Sequence, residues 1–450
     1  MPEQYPEFPT EEQIQALIEA GEITRLQSLL AEYHPADIAD LLDELPPEYA
    51  LVLFDLLDLE TASEVLDETG SLVRQELVEK VDDERLADLL DELPMDDAAE
   101  FLEDLPDLTA DRLLGLMEPE EASEVRTLLR YEEETAGRLM STDIVALRRQ
   151  WTAAEAVDYL RSLEEAETLH YLYVVDRYNH LIGVVPIRNL ILARPEATVG
   201  SIMIPDVVAV QVTADQEEMA EFISRYDFVA IPVVDAENRL LGVITVDDAL
   251  DVLADEATED IQRLGGSEPL ANPYFAVSIW QVVAKRVVWL LPLFAASVLT
   301  DTVVSVYGHL LQTFVVLTLF IPVVSATGGN AGSQTVATII RAIAVGDVRL
   351  ADLGRAWLRE LSIGIILGVI LGTAGLVRAL LFGANMRVAL VLGLTLPLVI
   401  VVANSLATLF PIVAERLRLD PTVVSAPLIT TLVDATGLFI YFTLASLLLS

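Results

Sequence analysis

The stretch VVSAPLITTLVDATGLFIYFTLASLLL, residues 423–449, is apolar along its whole length apart from one charge, Asp434. A membrane-spanning helix needs about 17–25 predominantly apolar residues. An ionisable side chain inside such a helix is expensive and by default faces water or a partner. Thr430, Asp434, Gly437 and Tyr441 fall at i, i+4, i+7 and i+11, one stripe of a helix. A small, polar stripe among Leu, Ile, Val and Phe suits a pore-facing or close-packed surface. The purely structural use of Asp434 would be an ion pair with Arg341 or Arg359.

The charge of the 450-residue chain is divided sharply around residue 275. Residues 1–275 hold 64 acids against 17 Lys and Arg, a net charge of −47, whereas residues 276–450 hold 7 acids against 10 bases, a net +3. A soluble portion this acidic argues against nucleic-acid or anionic-membrane partners, which need Lys and Arg clusters, and favours cations. Salt adaptation or plain solvated helix faces are the bland explanation of the same excess. Cysteine is absent and histidine is limited to four scattered residues, which excludes disulfides and thiolate sites and leaves hard oxygen ligands, the type that suits Mg, Ca and Mn. The N-terminus, MPEQYPEFPTEEQ, lacks an apolar signal segment, so the soluble part is expected in the cytosol. No P-loop, Ser/His/Asp set or thiol suggests an enzyme.

Five apolar stretches have the length of a span: 287–307, 310–326, 361–377, 388–413 and 423–449. Lys285 and Arg286 precede the first. Arg341, Arg349, Arg355 and Arg359 fill the loop after the second, with Arg378 and Arg387 in the third loop and Arg416 and Arg418 in the fourth. Positive-inside bias then predicts a cytosolic N-terminus, an external C-terminus and an odd number of crossings. After the second stretch comes Thr327-Gly328-Gly329-Asn330-Ala331-Gly332-Ser333-Gln334. Three glycines with amide and hydroxyl side chains predict a broken helix at membrane depth, tolerated only where it lines a wet cavity or is packed in protein. An ordinary interfacial loop is the alternative. Asn404, inside the fourth stretch, suits a pore or an interhelical hydrogen bond equally.

The soluble part is built of repeats. AlaAspLeuLeuAspGluLeuPro occurs at 39–46 and again at 87–94, and AlaSerGluVal at 62–65 and 122–125. Short amphipathic helices closed by Leu-Pro predict a helical-repeat superhelix over about residues 10–131. From about 138 short strands alternate with helices, also in duplicate. Leu139-Met140 leads to Tyr173–Asp176 and Leu181–Val185, and Ile202-Met203 leads to Ile231–Asp235 and Leu240–Ile244. Residues 246–260 then form a helical stretch crowded with acids. Asp248, Asp251 and Asp255 share one face, and Glu256, Glu259 and Asp260 another, so like charges repel unless a cation intervenes.

The duplicated strand–helix units resemble tandem CBS domains, over about 138–195 and 200–253. In such modules a Gly-h-h-Thr-x-x-Asp segment holds an adenine nucleotide, which implies ATP near Gly242, Thr245 and Asp248. The first unit has Pro186 and Asn189 instead, so one site per module is implied. Over almost the whole chain the order of elements resembles the MgtE family of magnesium channels and transporters. The segments 328–334 and Thr431-Leu432-Val433-Asp434-Ala435-Thr436-Gly437 carry that likeness. The fold it implies is a multidomain membrane protein: an all-α helical-repeat N-terminal domain (1–131), α/β tandem CBS domains (132–253), an acidic connecting helix (254–280) and a five-helix α transmembrane domain (281–450).

The resemblance further implies a homodimer in the cell membrane with one pore, where Asp434 selects hydrated Mg²⁺ and Gly328, Gly329, Asn330, Ser333, Thr430 and Gly437 line or shape the path. It also implies regulatory Mg²⁺ held by Glu64, Asp96 and Glu100 of the helical domain and by Asp215, Glu217 and Asp227 of the CBS pair. Asp248, Asp251, Glu256, Glu259, Asp260 and Asp420 would hold it near the membrane. The family pattern often has Asn at Ser333 and Ala426, and Asp at Glu100. Whether the chain is a channel or a coupled secondary transporter of divalent metals is not decided by these residues. A CBS-regulated anion channel fits poorly with a buried negative charge, and a soluble CBS protein leaves the five spans unexplained.

Overall fold

The computed structural model describes residues 9–103, 105–163, 170–270, 274, 277–417 and 419–449. Arg418 and the first eight residues of the acidic N-terminus therefore lie outside the described residues. The chain divides into two units, residues 1–256 and 257–450.

The first unit opens with α1 (Glu11–Glu19), α2 (Ile23–Leu30), α3 (Pro35–Glu44), α4 (Pro47–Phe54) and α5 (Leu59–Glu68). It continues with α6 (Ser71–Lys80), α7 (Asp83–Glu92), α8 (Met95–Glu103), α9 (Asp107–Leu113) and α10 (Pro119–Leu128). Each helix is too short to be stable alone, so stability comes from stacking amphipathic faces. α3 packs on α5, α5 on α7 and α7 on α9, the alternate stacking of a superhelix. The two copies of the eight-residue repeat end α3 and α7, and in each the Leu pair is buried (Leu41 and Leu42; Leu89 and Leu90). Proline in the first turn of α3 (Pro35) and of α4 (Pro47) helps set where those helices begin.

The duplicated strand–helix units follow the short helix α11 (Ala136–Leu139). Their first half contains β1 (Ala146–Arg148), α12 (Ala153–Leu160), β2 (Tyr171–Val175), β3 (Leu181–Pro186) and α13 (Ile187–Leu192). Their second half contains α14 (Val199–Ile202), β4 (Val210–Gln211), α15 (Gln216–Tyr226), β5 (Ala230–Val234) and β6 (Leu240–Thr245), and then α16 (Val246–Leu264). In each half the first strand pairs parallel with the second, and the second pairs antiparallel with the third. The duplicated residues explain how the halves fit. Gly183 faces Met203, and Gly242 faces Met140, at distances where an added Cβ would come within 2.7 Å of a methionine side-chain atom. Asn179 Nδ2 donates to the Leu240 carbonyl and Asn238 Nδ2 to the Leu181 carbonyl, the same bond in both directions.

Of the connecting helix expected over 254–280, residues 254–264 are the end of a longer helix, residues 265–270 are not helical, and residues 271–273, 275 and 276 lie outside the described residues. α16 starts at Val246, straight from β6, and stops at Leu264, where Gly266 takes a left-handed φ of +75°.

The second unit contains α17 (Ile279–Ala296), α18 (Val298–Val306), α19 (Gly308–Thr313), a 3₁₀ segment Val315–Phe320 and α20 (Ile321–Ala344). After these come α21 (Leu353–Leu381), α22 (Met386–Arg416), a 3₁₀ turn Pro421–Val423 and α23 (Ala426–Leu449). Among the described residues five segments are long and apolar enough to cross a membrane: Ile279–Val306, Val315–Ala344, Leu350–Leu381, Met386–Arg416 and Ala426–Leu449.

The glycine-rich segment 327–334 does not break the helix, contrary to the sequence reading. It lies in the middle of α20, and the second span is shifted toward the C-terminus to include it. An unbroken helix satisfies every backbone group internally, the cheapest solution in hydrocarbon. The glycines serve close approach instead. A Cβ on Gly328 would sit 2.6 Å from Val399 Cγ1 and Val433 Cγ1, and one on Gly332 would sit 2.7 Å from Ile429 Cγ2. The same device joins α21 to α22, where the face Ala356, Glu360, Gly364, Gly368, Gly372, Gly375 and Ala379 is buried. A Cβ at Gly372 would fall 2.6 Å from the Gly393 carbonyl oxygen.

Gly372→Val should therefore force α21 away from α22 and lower the melting temperature of the purified protein in detergent, at a cost of about 1–3 kcal/mol or more for overpacking. A melting curve like that of the parent would contradict the packing described.

Candidate metal sites in the two units

In the second unit, α20 and α23 cross through their small residues, and their polar side chains meet beside that crossing. Ser333 Oγ lies 3.3 Å from Thr430 Oγ1. One turn further along α23, Asp434 is half-buried, its Oδ1 is enclosed without a hydrogen-bond partner, and the Ser325 hydroxyl of α20 stands beside the carboxylate. Among the described residues no ion pair joins Asp434 to Arg341, Arg359 or any other base. Asn330 is exposed on α20, and with Ala326, Gln334 and Thr338 it forms an exposed stripe at four-residue spacing.

The predicted stripe on α23 is split by the structure. Thr430 and Asp434 reach partial exposure, but Gly437 is buried, with an added Cβ 3.3 Å from Val399 Cγ1. Tyr441 is fully buried and donates its hydroxyl to the Leu317 carbonyl at 3.1 Å. Gly328 and Gly329 are likewise buried in helix contacts and shape the crossing without facing open space. Spacing alone put these residues on one face; it could not say how wide the unoccupied part of that face is. Asn404 is 1% exposed and bonds between helices, the structural of its two uses.

In the first unit the ligand oxygens of Asp96, Asp97 and Asp248 lie within 4.8 Å of one another, the one such group of three His or acidic residues among the described residues. Octahedral Mg²⁺ with oxygen at 2.0–2.1 Å needs ligand oxygens about 3 to 4 Å apart, so these three approach the required spacing and are hard donors. Asp248 Oδ2 also accepts from Thr245 N (3.0 Å) and Thr245 Oγ1 (2.6 Å). Burial raises the Asp248 carboxyl above its ordinary range despite those bonds. Nearby, burial pushes the Asp67 carboxyl from 3.8 up to about 6, overcoming the Arg74 guanidinium, with Glu68, Asp248 and Asp251 pushing the same way.

The remaining predicted ligands are spread out, and several have other work. Glu64, Glu100 and Asp251 are exposed. Asp215 caps α15, accepting from the backbone of Glu217 and Glu218, and Asp227 ends that helix in a left-handed conformation at φ 55°. Glu256 accepts from Gln216 Nε2 at 2.8 Å. Asp420 accepts from Thr422 N and from Arg263 Nη1 at 2.6 Å, and the same guanidinium is bonded to Glu259 one turn back on α16, while Asp260 next to it is half-buried. A protein cation thus already stands between Glu259 and Asp420. Of the residues implied for a nucleotide, Gly242 is packed against Met140 and Ser141, and Thr245 and Asp248 bond each other.

Asp97, Asp67 and Glu360 were not singled out from the sequence. Asp97 adjoins Asp96, and only the burial of Asp67 distinguishes it from dozens of others. Glu360 had a legible signal, since it continues the small-residue stripe of α21 backward by one turn from Gly364.

The MgtE family of divalent cation transporters matches residues 321–444, the MgtE intracellular N domain matches 33–134, and CBS domains match 136–196 and 199–255. The chain is 39% identical over 443 residues to the magnesium transporter MgtE of Thermus thermophilus, covering 97% of this chain and 98% of that one. It is 31% identical over 431 residues to the magnesium transporter MgtE of Bacillus subtilis, covering 96% and 95%. A crystal structure of the cytosolic domain of the Mg²⁺ channel MgtE in complex with ATP matches with a TM-score of 0.51 at 40% identity, over 54% of this chain and all of that one.

A carboxyl with a raised folded pKa favours the folded state while protonated. Its contribution is lost as pH rises from 3.8 to about 6, the window set by Asp67. Without divalent cations the chain should therefore lose stability over that window, and Asp67→Asn should remove up to about 3 kcal/mol of that loss. Thermal melts from pH 4 to 7 in chelator check this; parallel curves for parent and variant would remove Asp67 from the account.

Proposed function

The chain belongs to the MgtE family of divalent cation transporters and is a multi-pass membrane protein, not an enzyme, and we propose that it conducts Mg²⁺ into the cell through a pore between two copies, closed by rising cytosolic Mg²⁺. The observation that carries the path is Asp434, a carboxylate in a membrane helix with an enclosed, unpartnered oxygen and no basic partner among the described residues. Such a group is expensive to keep and suits a site where a cation passes. The dimer draws support from α20. Asn330, Gln334 and Thr338 are exposed on a helix apolar enough to span, and an amide facing lipid would be left without partners. Facing a second copy across water, they would form the wall of a shared path.

Mg²⁺ gives up its waters reluctantly. Two Asp434 carboxylates facing one another, with Ser333, Thr430 and Asn330 beside them, would hold the ion through its hydration shell, a setting that favours Mg²⁺ over the more readily stripped Ca²⁺. The paired carboxylates would titrate as one coupled unit when the ion is away.

Feedback rests on the acidic first unit. Asp96, Asp97 and Asp248 would take Mg²⁺ between the helical domain and the CBS pair, with Asp67 and Asp251 adding negative charge that a bound cation would offset. The exposed acids Glu64, Glu100, Asp215, Glu217 and Asp227 would complete further sites as the acidic surfaces draw together. Two unit charges about 4 Å apart interact by roughly 1–4 kcal/mol at effective dielectrics of 80 to 20. A handful of bridged pairs thus exceeds the approximately 5.5 kcal/mol that swings a two-state gate from 1:99 to 99:1. Near the membrane, Mg²⁺ drawn to Glu256, Glu259, Asp260 and Asp420 would compete with or join Arg263. The N-terminus and first unit would then be cytosolic, in keeping with the Lys and Arg bias of the loops, and the C-terminus external. ATP binding by the CBS pair belongs to the same proposal, supported by the relative solved with ATP.

Asp434→Asn should abolish Mg²⁺ uptake into proteoliposomes while the protein still elutes as a folded dimer; uptake at the parent rate would overturn the path. Protease cleavage of the first unit should fall as Mg²⁺ rises through the millimolar range. Asp96→Asn combined with Asp248→Asn should shift that midpoint upward by roughly tenfold, since losing ligand charge weakens a hard-cation site. An unmoved midpoint would take those two residues out of the sensor.

A further inference from the structure

The buried face of α21 consists of alanine and glycine with one exception. Glu360 sits among Ala356, Gly364, Gly368, Gly372, Gly375 and Ala379, where small residues let α21 lie directly on α22, and it is only 9% exposed. Its Oε2 accepts from Thr335 Oγ1 of α20 at 3.4 Å and from Asn404 Nδ2 of α22 at 3.3 Å. Thr335 and Asn404 are themselves 6% and 1% exposed. Among the described residues no ion pair reaches Glu360, and the Thr335 bond is the one side-chain hydrogen bond between α20 and α21. One carboxylate oxygen therefore ties three membrane helices together.

Thr335 lies two positions beyond Ser333, on the opposite side of α20. Ser333 faces Thr430 of α23 at 3.3 Å, on the helix that carries Asp434 one turn later. Val399 of α22 and Ile429 and Val433 of α23 hold α20 through its glycines, and such smooth contacts resist separation more than rotation. A directional bond on the far side is what stops the helix turning. Without Glu360, two almost fully buried donors would be left unsatisfied, and α20 would be free to turn until they found partners. We infer that Glu360 is a positioning residue of the ion path: it sets the rotation of α20 so that Ser333 and Asn330 stand beside Thr430 and Asp434. The inference rests on the proposed function, because it concerns the same path.

The chain has no cysteine, which allows a direct test. Ser333→Cys with Thr430→Cys places two thiols where the hydroxyls now meet, and mild oxidation of the full-length protein should join them quickly. Adding Glu360→Ala should slow that cross-link roughly tenfold, because a disulfide demands close and specific geometry. Glu360→Gln keeps an acceptor in place and should restore the rate. In chains without the cysteines, Glu360→Ala should raise the half-saturating Mg²⁺ for proteoliposome uptake and reduce preference for Mg²⁺ over Ca²⁺, and Glu360→Gln should recover both.

Cross-linking of Glu360→Ala at the parent rate would overturn the inference. So would a Glu360→Gln chain as impaired as Glu360→Ala, which would mean that the charge matters and the geometry does not. If Glu360→Ala fails to fold, Thr335→Val severs the α20 end alone and should slow the cross-link in the same way; an unchanged rate would again refute the role. A parent chain that moves no Mg²⁺ would defeat the proposed function, and the cross-linking would still judge Glu360.

Discussion

A carboxylate withdrawn from water must be compensated by a cation, by donors or by its own proton, and this one constraint organises both units. Ahead of residue 276, 64 acids against 17 bases leave too few internal cations to pair every acid. Burial then raises Asp67 and Asp248, and the ligand oxygens of Asp96, Asp97 and Asp248 converge. In the second unit three acids are met in different ways. Glu360 is met by a hydroxyl and an amide, Asp420 by Arg263, and Asp434 by a neighbouring hydroxyl alone. Asp434, whose Oδ1 is enclosed without a hydrogen-bond partner, is the acid on which the proposed transport depends.

Small residues are the second requirement, and they work through distance. Hydrocarbon gives helices no hydrophobic reason to associate, so they must come close enough for dispersion and polar contacts to hold them. Glycines at 328, 329 and 332 bring α20 against α22 and α23, and those of α21 bring it against α22. Close approach is what lets single hydroxyls such as Ser333 and Thr430 meet across a helix pair. It is also what makes a lone Glu360 able to reach two neighbours at once.

Much of the architecture was legible because it is periodic. The repeated AlaAspLeuLeuAspGluLeuPro marks the ends of α3 and α7, the doubled strand patterns become two sheets of the same order, and five apolar stretches become five spans. The misreadings also have physical causes. Glycines 328, 329 and 332 predicted a break because glycine weakens helices in water, but in a membrane the unbroken helix wins and the missing side chains serve packing. Glu360 was overlooked because hydropathy begins the third span at the residue after it, although the i+4 glycine spacing continues through it.

Local order along the chain, then, determined the class of each segment: which parts are membrane helices, which are repeats, and which carry the uncompensated acids, since these depend on composition and short-range spacing. It also pointed to Asp434, because one charge in a long apolar run is visible without any fold. Only the tertiary structure decided which acids converge. Asp96 and Asp248 are far apart in sequence, and Asp420 is more than 150 residues from the arginine that holds it. Which of many similar carboxylates meet depends on how helices pack, and packing is set by contacts between distant residues that no local pattern records.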